Sequence, residues 1–426
     1  MTDRPVTTTT EPPREPPARR TSDVLIKAVT TGSPPVTTAL AILLALVVGG
    51  VLIVATDPVV LRAWGSFGYA PGSAFSATWN SVAAAYSALF EGSIFSPATI
   101  GHAFQGGSVA AIFYPLSLTL FEATPLILTG LAVSVAFRAG LFNIGGTGQF
   151  IGGAIVAAWL GFGVSLPPVI HPIVCIIGAL VGGGAVGWVV GELKARTGAH
   201  EVIVTIMLNY VMIYLLYYLL STPKALQQPH QSNQIAAPVA SDAVLPHVGG
   251  PPPQASLGFL LALAAAVGVA WLFSRSTTGF EFRTVGANPS AARSAGMKVE
   301  RVWVLVMVLA GALAGAAAAT VILSGGSPPP PLAESTYGTY GFDGITVALL
   351  GRSRPLGVVL AGLLFGALNA GGTQMAVATP VPADIVQVLE GLIVLFVAAP
   401  PLIRAFFHLR AGADADLDTG GRGWSG

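Results

Sequence analysis

Charged side chains are scarce in this sequence: Asp, Glu, Lys and Arg make up only 9% of its 426 residues. Soluble proteins carry about a quarter of their residues as charged ones, because charge covers the surface that faces water. Apolar residues, in contrast, make up 53% of the chain. This composition excludes an ordinary soluble protein and predicts a membrane protein.

Cysteine is almost absent, and several motifs of catalytic chemistry are missing. The single cysteine, Cys175, lies inside an apolar run, so no disulfide framework exists. The phosphate loop G-x-x-x-x-G-K-[ST], H-E-x-x-H and G-x-S-x-G do not occur, which predicts that the chain is not an enzyme. His230 and His247 are not spaced as metal ligands. We therefore expect no catalytic site, no metal site and no cofactor bound by this chain. The net charge of +1 gives no sign of a nucleic-acid partner.

Long apolar runs are abundant, and nine of them are long enough, or nearly so, to cross a hydrocarbon core of about 30 Å. They lie near residues 36–56, 110–137, 147–165, 169–191, 202–220, 256–274, 302–324, 355–374 and 384–403. A tenth run, 342–351, is short, which favours an interrupted or half-length helix. These runs predict an all-α polytopic membrane protein with nine to ten transmembrane helices.

Basic residues predict the orientation of these helices, since cytoplasmic loops carry an excess of Lys and Arg. With ten crossings and a cytoplasmic N-terminus, all but two of the 20 basic residues are cytoplasmic, the exceptions being Arg62 and Lys224. Both termini are then cytoplasmic. The predicted organisation is a disordered tail (1–33), a transmembrane domain (34–408) and a second disordered tail (409–426), with outer loops at 57–108 and 221–255 and an inner loop at 275–301.

The stretch FNIGGTGQF (142–150) interrupts an apolar region with glycines and amides. Each glycine costs a helix about 1 kcal/mol relative to alanine, so residues 143–148 disfavour a continuous helix. One interpretation is a turn capped by Asn143 or Thr147, and the other is a broken helix that dips toward a cavity. Phe342-Asp343-Gly344 repeats an aromatic–Asx–glycine opening in a segment of opposite direction. Such a pair is typical of an inverted repeat around a central pathway.

Six polar or aromatic residues are candidates for a substrate pathway: Phe142, Asn143, Gln149, Asn209, Asp343 and Glu390. The amides at membrane depth indicate either hydrogen bonds between helices or contacts with a substrate. Asp343 is also explained as a helix cap. Glu390 lies deep in an apolar run, where a carboxylate is costly enough to indicate function. Without a basic partner in the spans, we expect it to be protonated.

The inner loop 275–301 contains five basic and two acidic residues and is the largest cytoplasmic surface apart from the tails. Asn288-Pro289 is a helix start, residues 290–295 favour its continuation, and Gly296 ends it. We expect a short amphipathic helix outside the membrane. A rigid helix of this kind indicates docking to a partner.

Four blocks of this sequence resemble one known family: 124–150, 199–211, 285–302 and 341–368. They are similar to the permease subunits of ATP-binding-cassette importers, in the branch of branched-chain amino acid and ribose-type permeases and nearest to its nucleoside-type members. The resemblance covers roughly residues 110 to 405. It implies a heterodimer with a second permease subunit, cytoplasmic ATP-binding subunits that use the ATP, and an extracytoplasmic substrate-binding lipoprotein.

The resemblance also implies roles for particular residues. Those that match the family's ATPase-coupling segment are Asn288, Pro289, Ala291, Ala292, Arg293 and Gly296. Those that match its signature after the second span are Asn143, Gly145, Gly148 and Gln149. Thr147 departs from the family pattern, in which an acidic residue is common at this position.

The resulting hypothesis is a permease subunit in the bacterial plasma membrane that imports a small polar solute, a nucleoside first of all, by alternating access. A separate ATPase drives the transport. Sugars and amino acids are the alternative solutes. A different class of protein, a proton-coupled secondary transporter that uses Glu390 or Asp343 as its relay, is the alternative mechanism.

Overall fold

The computed structural model describes residues 34–106, 109–223, 225–228, 233–247, 255–324, 331–382 and 384–407. The tails predicted at 1–33 and 409–426 lie outside the described residues, as do Lys224 and His230. Within the described part of the chain the regular structure is helical, and only isolated bridges pair extended residues. The predicted all-α fold class is confirmed.

Sixteen α-helices occur among the described residues. In chain order they are α1 (Pro34–Thr56), α2 (Pro58–Gly65), α3 (Pro71–Ser93), α4 (Pro97–Phe104), α5 (Tyr114–Arg138), α6 (Gly146–Gly163), α7 (Ile170–Thr197), α8 (Glu201–Ser221), α9 (Gly258–Arg275), α10 (Thr277–Ala287), α11 (Pro289–Ser294), α12 (Val299–Ile322), α13 (Tyr340–Leu350), α14 (Pro355–Ala378), α15 (Asp384–Ala398) and α16 (Pro400–Phe406). Short 3-10 turns occur at Val109–Phe113, Ser241–Ala243 and Glu334–Tyr337.

Seven of the described helices are long and apolar enough to cross a membrane: α1, α5 with the turn before it, α7, α8, α9, α12 and α14. The polytopic character is therefore confirmed. Three further predicted spans correspond to α6, α13 and α15, which contain 18, 11 and 15 residues. At 1.5 Å per residue α13 is about 16 Å long, which is roughly half of a hydrocarbon core. The count of nine to ten crossings stays a prediction.

The described residues divide into two compact units. The smaller one contains residues 34–45 and 395–407, where α16 follows the end of α15 and the rings of Phe406 and Phe407 lie 5.3 Å apart. The larger one, residues 46–394, contains the main apolar core. The contacts described below lie within the larger unit.

Helices α5 to α7 and α12 to α14 pack as two equivalent sets. The third helix of each set lies on the first helix of the other, so that α7 packs on α12 and α14 packs on α5. The second helices follow the same rule, since α6 packs on α12 and α13 packs on α5. This reciprocal packing is what the predicted inverted repeat requires.

Both pairs of long helices are antiparallel and are joined through glycines. On α7, Gly183 lies against Gly315 of α12, and Gly191 lies against Val304. The pair α5 and α14 has the same arrangement, with Gly362 against Ile127 and with Gly366 against Ala123. Side chains at these glycines would overlap the facing helix. In lipid no hydrophobic effect drives helices together, so van der Waals contact between closely packed backbones holds these pairs.

One end of the larger unit collects the basic residues of its connecting segments. The Arg138 Nε atom donates to the carbonyl oxygen of Ser353 at 2.8 Å, which places the end of α5 beside the α13–α14 turn. Lys194, in the last turn of α7, pairs with Glu201 of α8 at 2.7 Å. Arg283 donates to the carbonyl oxygen of Phe273. Phe273 lies at the same end as Arg138, since the Arg138 guanidinium is 4.9 Å from its ring. We call this the basic end, and its composition agrees with the predicted cytoplasmic side.

The described part of the 221–255 loop lies at the opposite end. Ala240 N donates to Gly161 O at 2.9 Å, at the end of α6. Leu245 N donates to Leu323 O at 2.8 Å, just past the end of α12. We call this the outer end, and the side of the membrane that it faces stays a prediction.

Residues 57–108, predicted as an outer loop, contain a long helix. Helix α3 has 23 residues and packs on α14, where Gly371 lies against the carbonyl oxygen of Leu89. The middle of α3 is tied to the residue that follows α1, since the Ser81 hydroxyl donates to Asp57 Oδ2 at 2.6 Å. The alanine-rich sequence of α3 is less apolar than a typical span, which is why composition did not separate it from a loop.

Candidate functional site

The break between α5 and α6 is held by a reciprocal pair of amides. Asn143 Nδ2 donates to Gln149 Oε1 at 2.9 Å, and Gln149 Nε2 donates to Asn143 Oδ1 at 3.2 Å. The same Asn143 oxygen accepts from the Gly145 N–H at 3.1 Å, which closes a turn. Both side chains are fully buried. Buried amides cost free energy unless they are paired, so this pair stabilises one conformation of the break.

Asn209 reaches the same break from α8. Its Oδ1 accepts from the Gly148 N–H at 2.8 Å, and its Nδ2 donates to Ile144 O at 3.0 Å. The first turn of a helix has N–H groups without partners in the helix, and Asn209 satisfies one of them from another helix. Asn143, Gln149 and Asn209 therefore all hold the segment 143–149, and we call these three side chains the amide network.

The starts of α6 and α13 meet directly. A Cβ atom at Gly146 would lie only 2.9 Å from the carbonyl oxygen of Gly341, and one at Gly341 would overlap the backbone of Thr147. The Phe150 ring stacks on the Tyr340 ring with centroids 5.6 Å apart. The two glycine-rich breaks that the sequence singles out thus come together at one point, although they are far apart in the chain.

A cavity of about 620 Å³ lies beside this point, and we call it the outer cavity. Five parts of the chain form its walls: α5, the end of α12, the segment 331–339, the start of α13 and the second half of α14. The polar residues that line it are Glu122, Ser335, Thr336, Thr339, Tyr340, Asp343, Asn369 and Thr373. No Lys or Arg lines it among the described residues. It has the size and the mixed lining of a small-molecule pocket.

Two carboxyl groups, those of Glu122 and Asp343, line the outer cavity. Glu390 of α15 lies near enough to both for an electrostatic interaction. Asp343 Oδ2 accepts from the Thr339 hydroxyl at 2.5 Å. Glu390 is 7% exposed, and its Oε1 atom has no hydrogen-bond partner among the described residues. The predicted acidic candidates Asp343 and Glu390 are therefore brought together.

Phe142 lies elsewhere, at the basic end. Its backbone N–H donates to Glu201 Oε1 at 3.4 Å, and its ring lies 5.2 Å from the Phe137 ring. The six pathway candidates are thus divided among the amide network, the outer cavity and the basic end. Sequence reasoning did not single out Glu122, Tyr340 or Asn369 for the pathway. Asn369 and Thr373, one helical turn apart in an apolar span, were an available signal.

The short helix of the inner loop 275–301 begins and ends where the sequence predicts, whereas helix α10 (Thr277–Ala287) before it was not predicted. Asn288 caps α11 with its Oδ1, which accepts from the Ala291 N–H at 3.0 Å, and Pro289 is the first residue of that helix. Gly296, just after the helix, has φ +84°, a left-handed conformation that favours glycine. Ala292 is buried and anchors the helix, while Asn288, Pro289, Ala291, Arg293 and Gly296 are exposed.

Two contacts hold this loop against the membrane helices. Arg293 Nη2 pairs with Glu300 Oε1 of α12 at 2.6 Å. Gly286, near the end of α10, lies against Gly140 and against the carbonyl oxygen of Arg138 at the end of α5. The loop is therefore a structured, exposed surface with a direct contact to α5.

Comparison with known proteins agrees with this geometry. Residues 116–398 match the protein family described as branched-chain amino acid transport system / permease component. The chain belongs to this permease family.

Three relatives of the permease are named for the solutes that they transport. The permease is 35% identical over 342 residues to the guanosine ABC transporter permease protein NupP of Bacillus subtilis (strain 168), covering 79% of this chain and 88% of NupP. It is 33% identical over 322 residues to the glucose ABC transporter permease protein TsgB13 of Haloferax volcanii, covering 72% and 83%. It is 35% identical over 295 residues to the nucleoside ABC transporter permease protein NupB of Lactococcus lactis subsp. cremoris, covering 67% and 79%.

The permease is accordingly a multi-pass protein of the bacterial plasma membrane, and its family consists of transport components. The departure at Thr147 lies at the meeting point of α6 and α13. The Thr147 hydroxyl is buried, has no hydrogen-bond partner among the described residues and lies against the backbone of Gly341.

Proposed function

We propose that this permease is the membrane-spanning subunit of an ABC importer that carries a nucleoside. The observation that supports this most is the exposed helix α11, which is capped by Asn288 and lies where the family resemblance implies an ATPase-coupling segment. The names of NupP and NupB, which align with most of this chain, favour a nucleoside as the solute.

The importer works by alternating access. The outer cavity receives the solute from the extracytoplasmic side. Contacts between Gly146 and Gly341 and between Phe150 and Tyr340 close the route beneath it. At this point α6 meets α13 through the backbone contact of Gly146 with Gly341 and the ring contact of Phe150 with Tyr340. A small displacement of α6 from α13 therefore opens the route.

The coupling segment transmits the movement of the ATPase to α5. Asn288, Pro289, Ala291, Arg293 and Gly296 present the docking surface, and Ala292 fixes it to the protein. A displacement of α11 moves α10, and Gly286 of α10 is in contact with the end of α5. Helix α5 carries Glu122 at its other end, in the wall of the outer cavity. Helix α5 therefore connects the α10 contact at the basic end with the wall of the substrate cavity.

The partners are those of an ABC importer: a second permease subunit in a heterodimer, cytoplasmic ATP-binding subunits and an extracytoplasmic substrate-binding lipoprotein. This chain binds no cofactor and has no ATPase site of its own, and ATP is used by the partner subunit. The amide network of Asn143, Gln149 and Asn209 positions α6 and does not contact the solute, since its hydrogen-bonding groups are used within the protein.

A charge exchange tests the docking claim. We expect Arg293→Glu to abolish ATP-driven uptake while the variant still inserts in the membrane. The double variant Arg293→Glu, Glu300→Arg restores the ion pair between α11 and α12 with reversed charges. Uptake that stays abolished in the double variant supports docking of Arg293 to the ATPase. Uptake that returns to the wild-type level shows that Arg293 acts only through Glu300, and it overturns the docking claim.

A proton-coupled secondary transporter is the second candidate. The observation that favours it is the position of Glu122 and Asp343 in the wall of the outer cavity, with the buried Glu390 near both of them. Such a transporter takes up its solute without an ATPase, and an uncoupler abolishes the uptake. Sugars remain the alternative solute of the importer, because the relative TsgB13 is named for glucose.

A further inference from the structure

We infer that the outer cavity binds the sugar hydroxyl groups of a ribosyl solute through the carboxyl groups of Glu122 and Asp343. The inference rests on the proposed function, because it states how the permease itself selects the solute that the importer carries. It concerns a different property from ATP coupling, and the two can fail separately.

The cavity has room for a solute of this size and lies at the correct end of the protein. Its volume of about 620 Å³ is within the range of small-molecule pockets. Its outer wall includes Val321, at the end of α12, and residues 331–339, which lie at the outer end. A solute delivered from outside therefore meets this cavity before it reaches the contact of Gly146 with Gly341.

Acceptor oxygens are the chemical feature of this cavity. Among the described residues, neither carboxyl oxygen of Glu122 has a hydrogen-bond partner, and Asp343 uses one oxygen to accept from Thr339. A carboxyl group keeps an acceptor oxygen whether it is ionised or protonated. Ribose hydroxyls are donors, and carboxylates are the groups that hold them in dinucleotide-binding proteins. Because the two carboxyls come from different helices, α5 and α13, a solute that bonds to both bridges these helices.

One further side chain that lines the cavity has unused hydrogen-bonding capacity. The Asn369 amide is half-buried and has no hydrogen-bond partner among the described residues. Glu390, which does not line the cavity, is 7% exposed, and its Oε1 atom also has no partner among those residues. A side-chain amide that lines a cavity without a partner in the protein has donors and an acceptor left for a ligand. A nucleoside base and its hydroxyls supply both donors and acceptors.

The charge of the cavity decides between classes of solute. Two carboxyl groups line it, those of Glu122 and Asp343, and no basic residue among those described does. A nucleotide phosphate or the carboxylate of an amino acid has no partner here and is opposed by like charge. A neutral solute with several hydroxyl groups finds several acceptor oxygens in this cavity. The cavity therefore favours nucleosides and sugars over amino acids and anions.

The test compares two nucleosides in the complete importer, reconstituted in proteoliposomes with its ATPase, second permease and binding lipoprotein. Uptake of guanosine and of 2′,3′-dideoxyguanosine is measured for the wild type, Asp343→Asn and Glu122→Gln. The binding lipoprotein is the same in every sample, so its own preference cancels when variants are compared. Asparagine and glutamine keep one acceptor oxygen, but each variant replaces a charged acceptor by a neutral one and puts an N–H donor in place of the other oxygen. The hydrogen bond to a charged group is lost, which lowers guanosine uptake about tenfold. Uptake of the dideoxynucleoside, which lacks the two hydroxyls, falls less than twofold.

Glu192→Gln is the matched control, because Glu192 pairs with Arg196 near the basic end, far along α7 from the cavity. It leaves the uptake of both nucleosides unchanged. Equal losses for both nucleosides in Asp343→Asn and Glu122→Gln, or no loss for either, overturn the inference. Failure of the proposed function is a separate result, since the wild type then takes up neither nucleoside with ATP.

Discussion

The backbone of Gly146 lies against the backbone of Gly341, so that the first residues of α6 and α13 are in direct contact. Each residue opens the second helix of one of the two packed sets. The contact joins the sets near their common centre, and the outer cavity lies beside it. A side chain at either position changes the distance between the sets.

Gly341→Ala tests the importance of this contact for stability. The added methyl group would overlap the backbone nitrogen of Thr147, which cannot move without displacing α6. Overpacking of this kind costs about 1–3 kcal/mol. We expect a lower Tm for the purified variant in detergent and reduced uptake. Gly268→Ala on α9 is the control, because nothing lies within 4 Å of its Cβ position, and its Tm should equal or exceed that of the wild type. A wild-type Tm for Gly341→Ala would contradict the close contact.

Asn209→Leu tests the amide network. The substitution keeps the approximate size of the side chain and removes two hydrogen bonds, leaving the Gly148 N–H and the Ile144 carbonyl without partners. A buried group without a partner costs about 1–3 kcal/mol. We expect a clear fall in Tm, measured by thermal unfolding in detergent. Tyr210→Phe, at the exposed neighbouring position, should leave the Tm unchanged. If Asn209→Leu loses uptake at an unchanged Tm, Asn209 contacts the solute.

Gly286→Val tests the link between the coupling segment and α5. Its Cβ would lie 2.6 Å from the Arg138 carbonyl oxygen, so α10 must move away from the end of α5. We expect ATP-driven uptake to fall at least tenfold although the complex still assembles and hydrolyses ATP. Uptake and hydrolysis that remain coupled as in the wild type would exclude this route. Gly268→Val, which has open space, serves as the control.

Labelling of Lys298→Cys tests the sidedness of the coupling segment. The variant is made in a Cys175→Ala background, which removes the single native thiol. Cys175 is buried and has no disulfide partner. Lys298 is exposed next to α12 at the basic end. A membrane-impermeant maleimide should label position 298 in inside-out vesicles and not in intact cells. Labelling in intact cells would reverse the orientation and remove the docking surface from the cytoplasm.

The sequence predicted those features that depend on local chemistry. The start of α11 at Asn288-Pro289 and its end before Gly296 follow from capping and glycine preferences that act within a few residues, and the structure agrees with both. The pairing of the breaks near Asn143 and Asp343 was also visible, because the same pattern occurs twice in the chain.

Other features depend on partners that are distant in the chain, and the sequence left them open. Whether Asn209 bonds to a helix or to a solute is decided by Ile144 and Gly148, which precede it by some 60 residues. Glu122 lines the cavity because α5 packs beside α13 and α14, and no local sequence pattern shows that packing. Hydrophobic periodicity shows that a residue lies in a span but does not show which helix it faces.

Uptake of guanosine into proteoliposomes, with and without the partner ATPase, tests the central claim most directly. The membrane subunits and the binding lipoprotein are reconstituted with either the wild-type ATPase or a variant without its phosphate-loop lysine. The account predicts uptake only with the wild-type ATPase and ATP, and no effect of a protonophore. Uptake that proceeds without a working ATPase and disappears with the protonophore would contradict it.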